Sequence, residues 1–194
     1  MVTAIQRVPA SAEGDRVFHE NLVAITPQLR SFARGLCGNR DLADDVAQDA
    51  IMRAWSARLS FEPGTNFRTW MFMILRNQFY TTVKRNARMV QSEPEFFERA
   101  LTTAAVQEQG LHVADVAAAL QKLPPQQREA LMLVGANGVS YEEAGEIMNC
   151  AVGTVKSRVA RARTALQALV DGDDLIDVAR PANYHAPTKI NSHP

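Results

Sequence analysis

A chain of 194 residues is long enough for one large or two small domains. Its 21 Lys+Arg balance 21 Asp+Glu, and 46% of it is apolar, without any apolar run long enough to span a bilayer. The N-terminus MVTAIQRVPASAEGD lacks the hydrophobic stretch of a signal peptide, and Cys37 and Cys150 lie too far apart to suggest a disulfide framework, so membrane-embedded and secreted classes are excluded and a cytoplasmic chain with two structural thiols is expected.

In chain order, residues 1–14 read as a loose tail. Helical periodicity then runs from about Arg16 to Leu36, with Pro27 placing a bend or a helix start inside it. Gly38-Asn39-Arg40-Asp41 breaks the pattern, and Asp41 is the expected N-cap of a helix reaching Leu59. On that helix Ala43, Val46, Ala47, Ala50, Ile51 and Ala54 share one face. Asp44, Asp45, Gln48, Asp49 and Met52 share the opposite one. The like-charged pair Asp45/Asp49 costs a few tenths of a kcal/mol in an isolated helix. An acidic face that also presents Met reads as a protein-docking surface, against the alternative that acids simply favour a helix N-terminal turn.

Phe61–Asn66 is a loop by composition, and a long helix is expected from Phe67 to near Arg88. Its first half, FRTWMFMILRNQFY, holds five of the chain's 13 aromatics, with Arg68, Arg76, Lys84, Arg85 and Arg88 among or just after them. Rings beside cations suit unpaired bases, which stack while Arg and Lys hold phosphates. Phe72 and Phe79 are expected in the core; Trp70, Asn77 and Tyr80 are the better candidates for nucleotide contact.

Charge is segregated: residues 61–90 carry five cations and one anion, 91–120 one cation and five anions, and 152–170 four cations alone. Residues 89–112 therefore read as an acidic linker between two helical blocks, and residues 171–194 as a tail with little to bury.

The second block, 113–170, places short helices at Ala117–Leu123 and Gln126–Val134. Gly138 ends the second of these, and Ser140-Tyr141-Glu142-Glu143 fits a capping box. That helix stops at Asn149, and a tight turn leads to a second, basic helix, which is the helix-turn-helix order. At about 100° per residue, Val152, Val155, Val159, Ala162 and Leu166 form the core stripe. Lys156 and Arg163 flank the stripe on one side, Arg158 and Arg161 on the other. Thr154 and Ser157 point away from it, small enough to approach base edges while the cations reach phosphates. The alternative is a basic amphipathic helix packed in its own domain or against an acidic protein.

With these parts in order, DLADDVAQDAIMRAW, FRTWMFMILRN and SYEEAGEIMNCAVGTVKSRVARAR, the sequence resembles the extracytoplasmic-function sigma factors of bacterial RNA polymerase over about residues 15–170. GTNFRTWMFMILRNQFYTTVKR and LPPQQREALMLVGANGVSYEEAGEIMNCAVGTVKSRV are most similar to the general-stress-response members of alphaproteobacteria. The resemblance implies an all-α chain of two small domains, sigma region two over 15–88 and sigma region four over 113–170, joined by a flexible linker. It implies that Asp44, Asp45, Gln48, Asp49 and Met52 dock on the β′ clamp helices of core polymerase, with the β subunit also a partner. Arg68, Trp70, Arg76, Asn77, Tyr80 and Lys84 would open and read the −10 element, with Asn66 in the loop that captures a flipped-out base. Thr154, Lys156, Ser157, Arg158 and Arg161 would read the −35 element in the major groove.

The implied function is promoter recognition by a dissociable polymerase subunit that does no chemistry itself and needs no cofactor. A small anti-sigma protein holds such family members inactive, and the free chain is expected to be a monomer. Ala151 stands where many relatives carry Pro or Ser, and Ala is a poor cap. Two rivals remain: a sigma-mimicking module that sequesters an anti-sigma factor, which would not need the basic flanks of GTVKSRVARAR, and a helix-turn-helix repressor, for which no heptad dimer seam is evident. His19, His112, His185 and His193 make no metal spacing with the cysteines, and no phosphate loop is present.

Overall fold

The computed structural model describes residues 12–62, 64–92 and 111–171, all helix and connecting turn. The expected linker and tails fall mostly on residues 93–110, 1–11 and 172–194, outside the described residues. Among the described residues seven α-helices follow in order: α1 (Ala12–Cys37), α2 (Arg40–Ser56), α3 (Phe67–Ser92), α4 (Leu111–Lys122), α5 (Pro125–Leu131), α6 (Tyr141–Met148) and α7 (Val152–Asp171). A 3₁₀ turn at Arg58–Ser60 follows α2, and a π-helical turn at Met132–Ala136 follows α5.

α1 is one helix of 26 residues that passes through Pro27 instead of starting there. The lost bond falls at Val23, on the exposed face, while the preceding Thr26 hydroxyl donates to the Leu22 carbonyl at 2.7 Å. The residues Phe18, Leu22, Ile25, Leu29, Phe32, Ala33 and Leu36 recur at helical spacing and are all buried. α2 starts two residues earlier than expected: Asn39, not Asp41, is the N-cap. Its backbone is extended and its side-chain oxygen accepts from the Leu42 amide at 2.9 Å. Asp41 lies in the first helical turn, where its charge meets the positive end of the helix dipole.

α1, α2 and α3 pack together around Leu29, Phe32, Val46, Met71, Phe72 and Leu75, each essentially inaccessible. Phe72 stands edge-on to Phe32 at 5.2 Å, and Phe79 is buried as expected. At the other end Phe18, Phe61, Phe67 and Trp70 form an aromatic cluster with centroids 5.2–6.3 Å apart. Arg58 ties this end to α1 through Asp15 at 2.8 Å and covers the Trp55 ring at 4.8 Å.

α4 to α7 form the second unit. Pro125 opens α5 at a position where a missing amide costs nothing. Ser140 and Glu143 make the expected capping box at the start of α6, and Asn149 ends α6 in the left-handed conformation (φ 51°). Gly145 permits the sharp return, because a Cβ there would stand 3.0 Å from the Cys150 carbonyl oxygen. On α7, Val155, Val159 and Ala162 of the predicted stripe are buried and its members Val152 and Leu166 are half-buried; Ala165, which the stripe did not include, is buried as well.

The two units are in contact. One hydrophobic cluster runs from α1–α3 into Ala130, Met132, Leu133, Val139, Ala144 and Ile147 of the second unit. Gly35 of α1 lies so close to Met132 that a Cβ at this position would collide with its thioether, and the Gly35 carbonyl accepts from the Gln121 side chain at 3.0 Å. Cys37 and Cys150 are free and half-buried, and burial pushes the Cys37 thiol up to about 12.

Candidate nucleic-acid and polymerase interface

Three surfaces carry the predicted residues. The first is the outer face of α2. Asp45, Gln48 and Asp49 are exposed there, Asp44 is half-buried beside Arg34 at 3.5 Å, and Met52 is 62% exposed, a large apolar side chain left in water. Asp49 is held by Gln78 of α3, whose amide nitrogen donates to its carboxylate at 2.8 Å from a buried position. Met52 also borders an apolar groove of about 370 Å³ between α1 and α2, lined by His19, Leu22, Val23, Ile51 and Trp55. Acids beside exposed apolar side chains suit a partner helix that is basic and apolar.

The second surface is the start and one face of α3. Asn66 caps α3: its side-chain oxygen accepts from the Thr69 amide at 3.2 Å. Its nitrogen donates to Glu143 at the start of α6. Arg68 reaches the carbonyls of Asn137 and Gly138, the latter at 3.4 Å. Arg76 and Tyr80, one turn apart, converge on Glu129: the Arg76 Nε pairs with one carboxylate oxygen and the Tyr80 hydroxyl donates to the other at 2.7 Å. The Arg76 guanidinium lies 4.9 Å from the Tyr80 ring centroid. Burial, reinforced by the bond to Glu129, pushes the Tyr80 phenol up to about 12. Trp70 is half-buried in the aromatic cluster, while Asn77 and Lys84 are exposed.

The third surface is α7. Lys156 and Arg161 are exposed, and Thr154, Ser157 and Arg158 are half-buried. The Ser157 hydroxyl donates to the Thr154 carbonyl at 2.9 Å, so towards a base edge it offers only its lone pairs. Arg158 is held by Gln126 at 2.6 Å and by the Cys150 sulfur at 3.4 Å. Ala151 offers no side-chain cap to α7, yet its carbonyl accepts the Thr154 amide at 2.8 Å, so the helix start stays sharp at Val152.

Sequence reasoning missed four residues: Glu129, Asn137, Gln78 and the outward bond of Glu143. Glu129 had a legible signal, a single acid at the head of the apolar run ALMLV. Asn137 and Gln78 had none, because their partners are 69 and 29 residues away.

Residues 23–89 match the family Sigma-70 region 2, and residues 114–166 match Sigma-70, region 4. The chain is 46% identical over 155 residues to the ECF RNA polymerase sigma factor EcfG of Rhodopseudomonas palustris, an alignment covering 79% of this chain and 86% of that one. Its fold is similar to that of the sigma factor RpoE of Bartonella quintana, solved in complex with the anti-sigma factor NepR. The two superpose with a TM-score of 0.73 at 42% identity over 82% of this chain and 99% of the other. CnrH, solved with the cytosolic domain of CnrY, gives a TM-score of 0.63 at 29% identity, covering 84% and 96%. This chain belongs to the extracytoplasmic-function sigma factors: it is a promoter-recognising alternative sigma factor, and so a transcription initiation factor. No helix among the described residues is long and apolar enough to cross a membrane.

Proposed function

We propose that the chain works in the cytoplasm and directs core RNA polymerase to stress-response promoters, doing no chemistry of its own. In this reading region two spans 15–88 and region four 113–170. Asp44, Asp45, Gln48, Asp49 and Met52 meet the β′ clamp helices. Asn66, Arg68, Trp70, Arg76, Asn77, Tyr80 and Lys84 take the −10 strand, and Thr154, Lys156, Ser157, Arg158 and Arg161 the −35 duplex. The energy for strand opening comes from trapping unstacked bases, at a cost of a few kcal/mol per base that stacking and phosphate contacts offset. The relatives solved with NepR and CnrY support a small anti-sigma protein as a further partner.

The observation that carries this reading is the coexistence, on one chain, of an acidic face with exposed Met52 on α2 and a basic α7 behind a capped α6. A sigma mimic needs the first and has no use for the second. Run-off transcription with core polymerase on a promoter library tests it. Wild type yields discrete transcripts, and Lys156→Ala with Arg161→Ala loses them. Intact promoter-specific transcription by that double variant removes the −35 assignment.

A further inference from the structure

Arg158 differs from the other cations of α7 in how it is held. Its terminal nitrogens donate to the Gln126 carboxamide oxygen at 2.6 Å and to the Cys150 sulfur at 3.4 Å, acceptors that come from α5 and from the turn between α6 and α7. Lys156 and Arg161 are exposed, and the Lys156 ammonium only rests over the Tyr141 ring at 5.8 Å, near the outer limit of such a contact. Neither acceptor of Arg158 is a carboxylate. Arg16, Arg34, Arg58 and Arg76, by contrast, are each paired with one. A carboxylate cancels the charge of the arginine it holds, whereas a carboxamide and a thiol fix the guanidinium and leave its charge whole. One N–H of each terminal nitrogen is engaged, and the Nε–H and the others remain to meet an anion.

We propose that Gln126 is a positioning residue for −35 recognition: with Cys150 it presets Arg158 on the flank of α7, so that the guanidinium meets a backbone phosphate without first being ordered. The proposal rests on the −35 assignment above. Arginine has a long stem with several rotatable bonds, and the freedom they lose on binding is subtracted from the affinity. A guanidinium already tied at both terminal nitrogens has little of that freedom left to lose. Gln126, Cys150 and Arg158 all belong to the second unit, so the arrangement travels with α7 wherever polymerase places that unit. The Gln126 oxygen is spent on Arg158, and its side chain is exposed and fills no core, so its removal leaves the helix-turn-helix standing.

The test uses holoenzyme reconstituted from core polymerase and the full chain, with a fluorescein-labelled promoter fragment recovered from the run-off library. Affinity is read by anisotropy over a range of KCl concentrations. Gln126→Ala binds about three- to tenfold more weakly than wild type, the cost of ordering one long side chain, and keeps the wild-type salt slope because Arg158 retains its charge and its phosphate. Gln126→Met, which preserves the length of the side chain and removes the acceptor, loses as much. Arg158→Ala loses more, and its slope is shallower by about one. In that background Gln126→Ala has no further effect, since it acts only through Arg158. Wild-type affinity in Gln126→Ala or Gln126→Met overturns the positioning role. So does a Gln126 loss that persists without Arg158, which would mean that Gln126 touches DNA itself, or a slope lowered by several, the mark of a displaced helix. Wild-type affinity in Arg158→Ala is a separate failure: it removes Arg158 from the −35 surface, and the role of Gln126 with it.

Discussion

Asn66 and Glu143 each cap a helix of their own and also bond to one another. Asn66 accepts from the Thr69 amide at the start of α3; Glu143 accepts from the Ser140 amide at 2.9 Å at the start of α6. The bond between them brings two helix N-termini together across the chain, although the residues are 77 positions apart. Two positive dipole ends repel, and the Glu143 carboxylate between them offsets that repulsion. One side chain therefore serves local helix initiation and long-range packing at once.

This double duty gives Glu143 a pH signature. The Ser140 amide above all, then the Ser140 hydroxyl and Asn66, hold its carboxyl below the ordinary 4.5. A depressed carboxylate contributes stability that is fully present above 4.5 and is lost as pH falls through the lower folded value. Thermal melts taken through the acid range will show wild type losing stability relative to Glu143→Gln, which cannot titrate. Parallel curves would remove Glu143 as the source.

Tyr80 titrates in the opposite sense. Its folded value of about 12 lies above the ordinary 10, so its contribution is complete below 10 and declines as pH rises towards 12. Phenolate formation beside Glu129 sets two anions against each other, with Arg76 and Arg128 the compensating cations. Ultraviolet titration of Glu129→Gln should bring the Tyr80 step down towards 10, because both the hydrogen-bonding carboxylate and its charge are gone. An unchanged titration would mean that burial alone sets the value.

The caps are local and separable. Asn39→Ala and Ser140→Ala each remove one side-chain acceptor from a helix N-terminus, and each should cost about 1 kcal/mol in urea denaturation. Phe72→Ala, which empties a fully buried ring site facing Phe32, should cost about 3–5 kcal/mol in the same assay.

The acidic face makes a binding prediction. Asp45→Arg with Asp49→Arg should abolish co-elution with core polymerase while leaving helicity by circular dichroism unchanged, since neither side chain is buried. Gln78→Leu, which frees Asp49 without changing its charge, should weaken co-elution less. Full co-elution of the Arg double variant would move the polymerase contact away from α2.

What the sequence revealed was whatever is periodic or local. The valine stripe of α7, the capping box at Ser140 and the left-handed Asn149 depend on residues within a turn or two of each other, and all were legible. Asp41 was misplaced as a cap because Asn39 and Asp41 are both good caps by composition, and only backbone geometry decides between them. Pro27 suggests a bend or a helix start because it removes a backbone bond, whereas the buried face from Phe18 to Leu36 outweighs that one missing bond and the helix does not start there. The contacts of Arg68, Arg76 and Tyr80 were out of reach for another reason: cations beside aromatics announce an anion without saying whether it is a phosphate or the chain's own carboxylate.

The π-helical turn at Met132–Ala136 sets the phase of all that follows it. The amide of Asn137 closes back on the Met132 carbonyl at 3.0 Å, five residues away, and its side-chain nitrogen caps the same oxygen at 2.8 Å. Compared with a regular α-turn, this is a one-residue insertion in the helical count. Removing one residue at the exposed Gly135 would restore the regular count and turn the succeeding chain by about 100°. The carbonyls of Asn137 and Gly138 would then swing off Arg68, with every backbone bond of α6 and α7 intact. A single insertion or deletion in this turn therefore re-aims α6 and α7 against α3 without a substitution in any of the three helices.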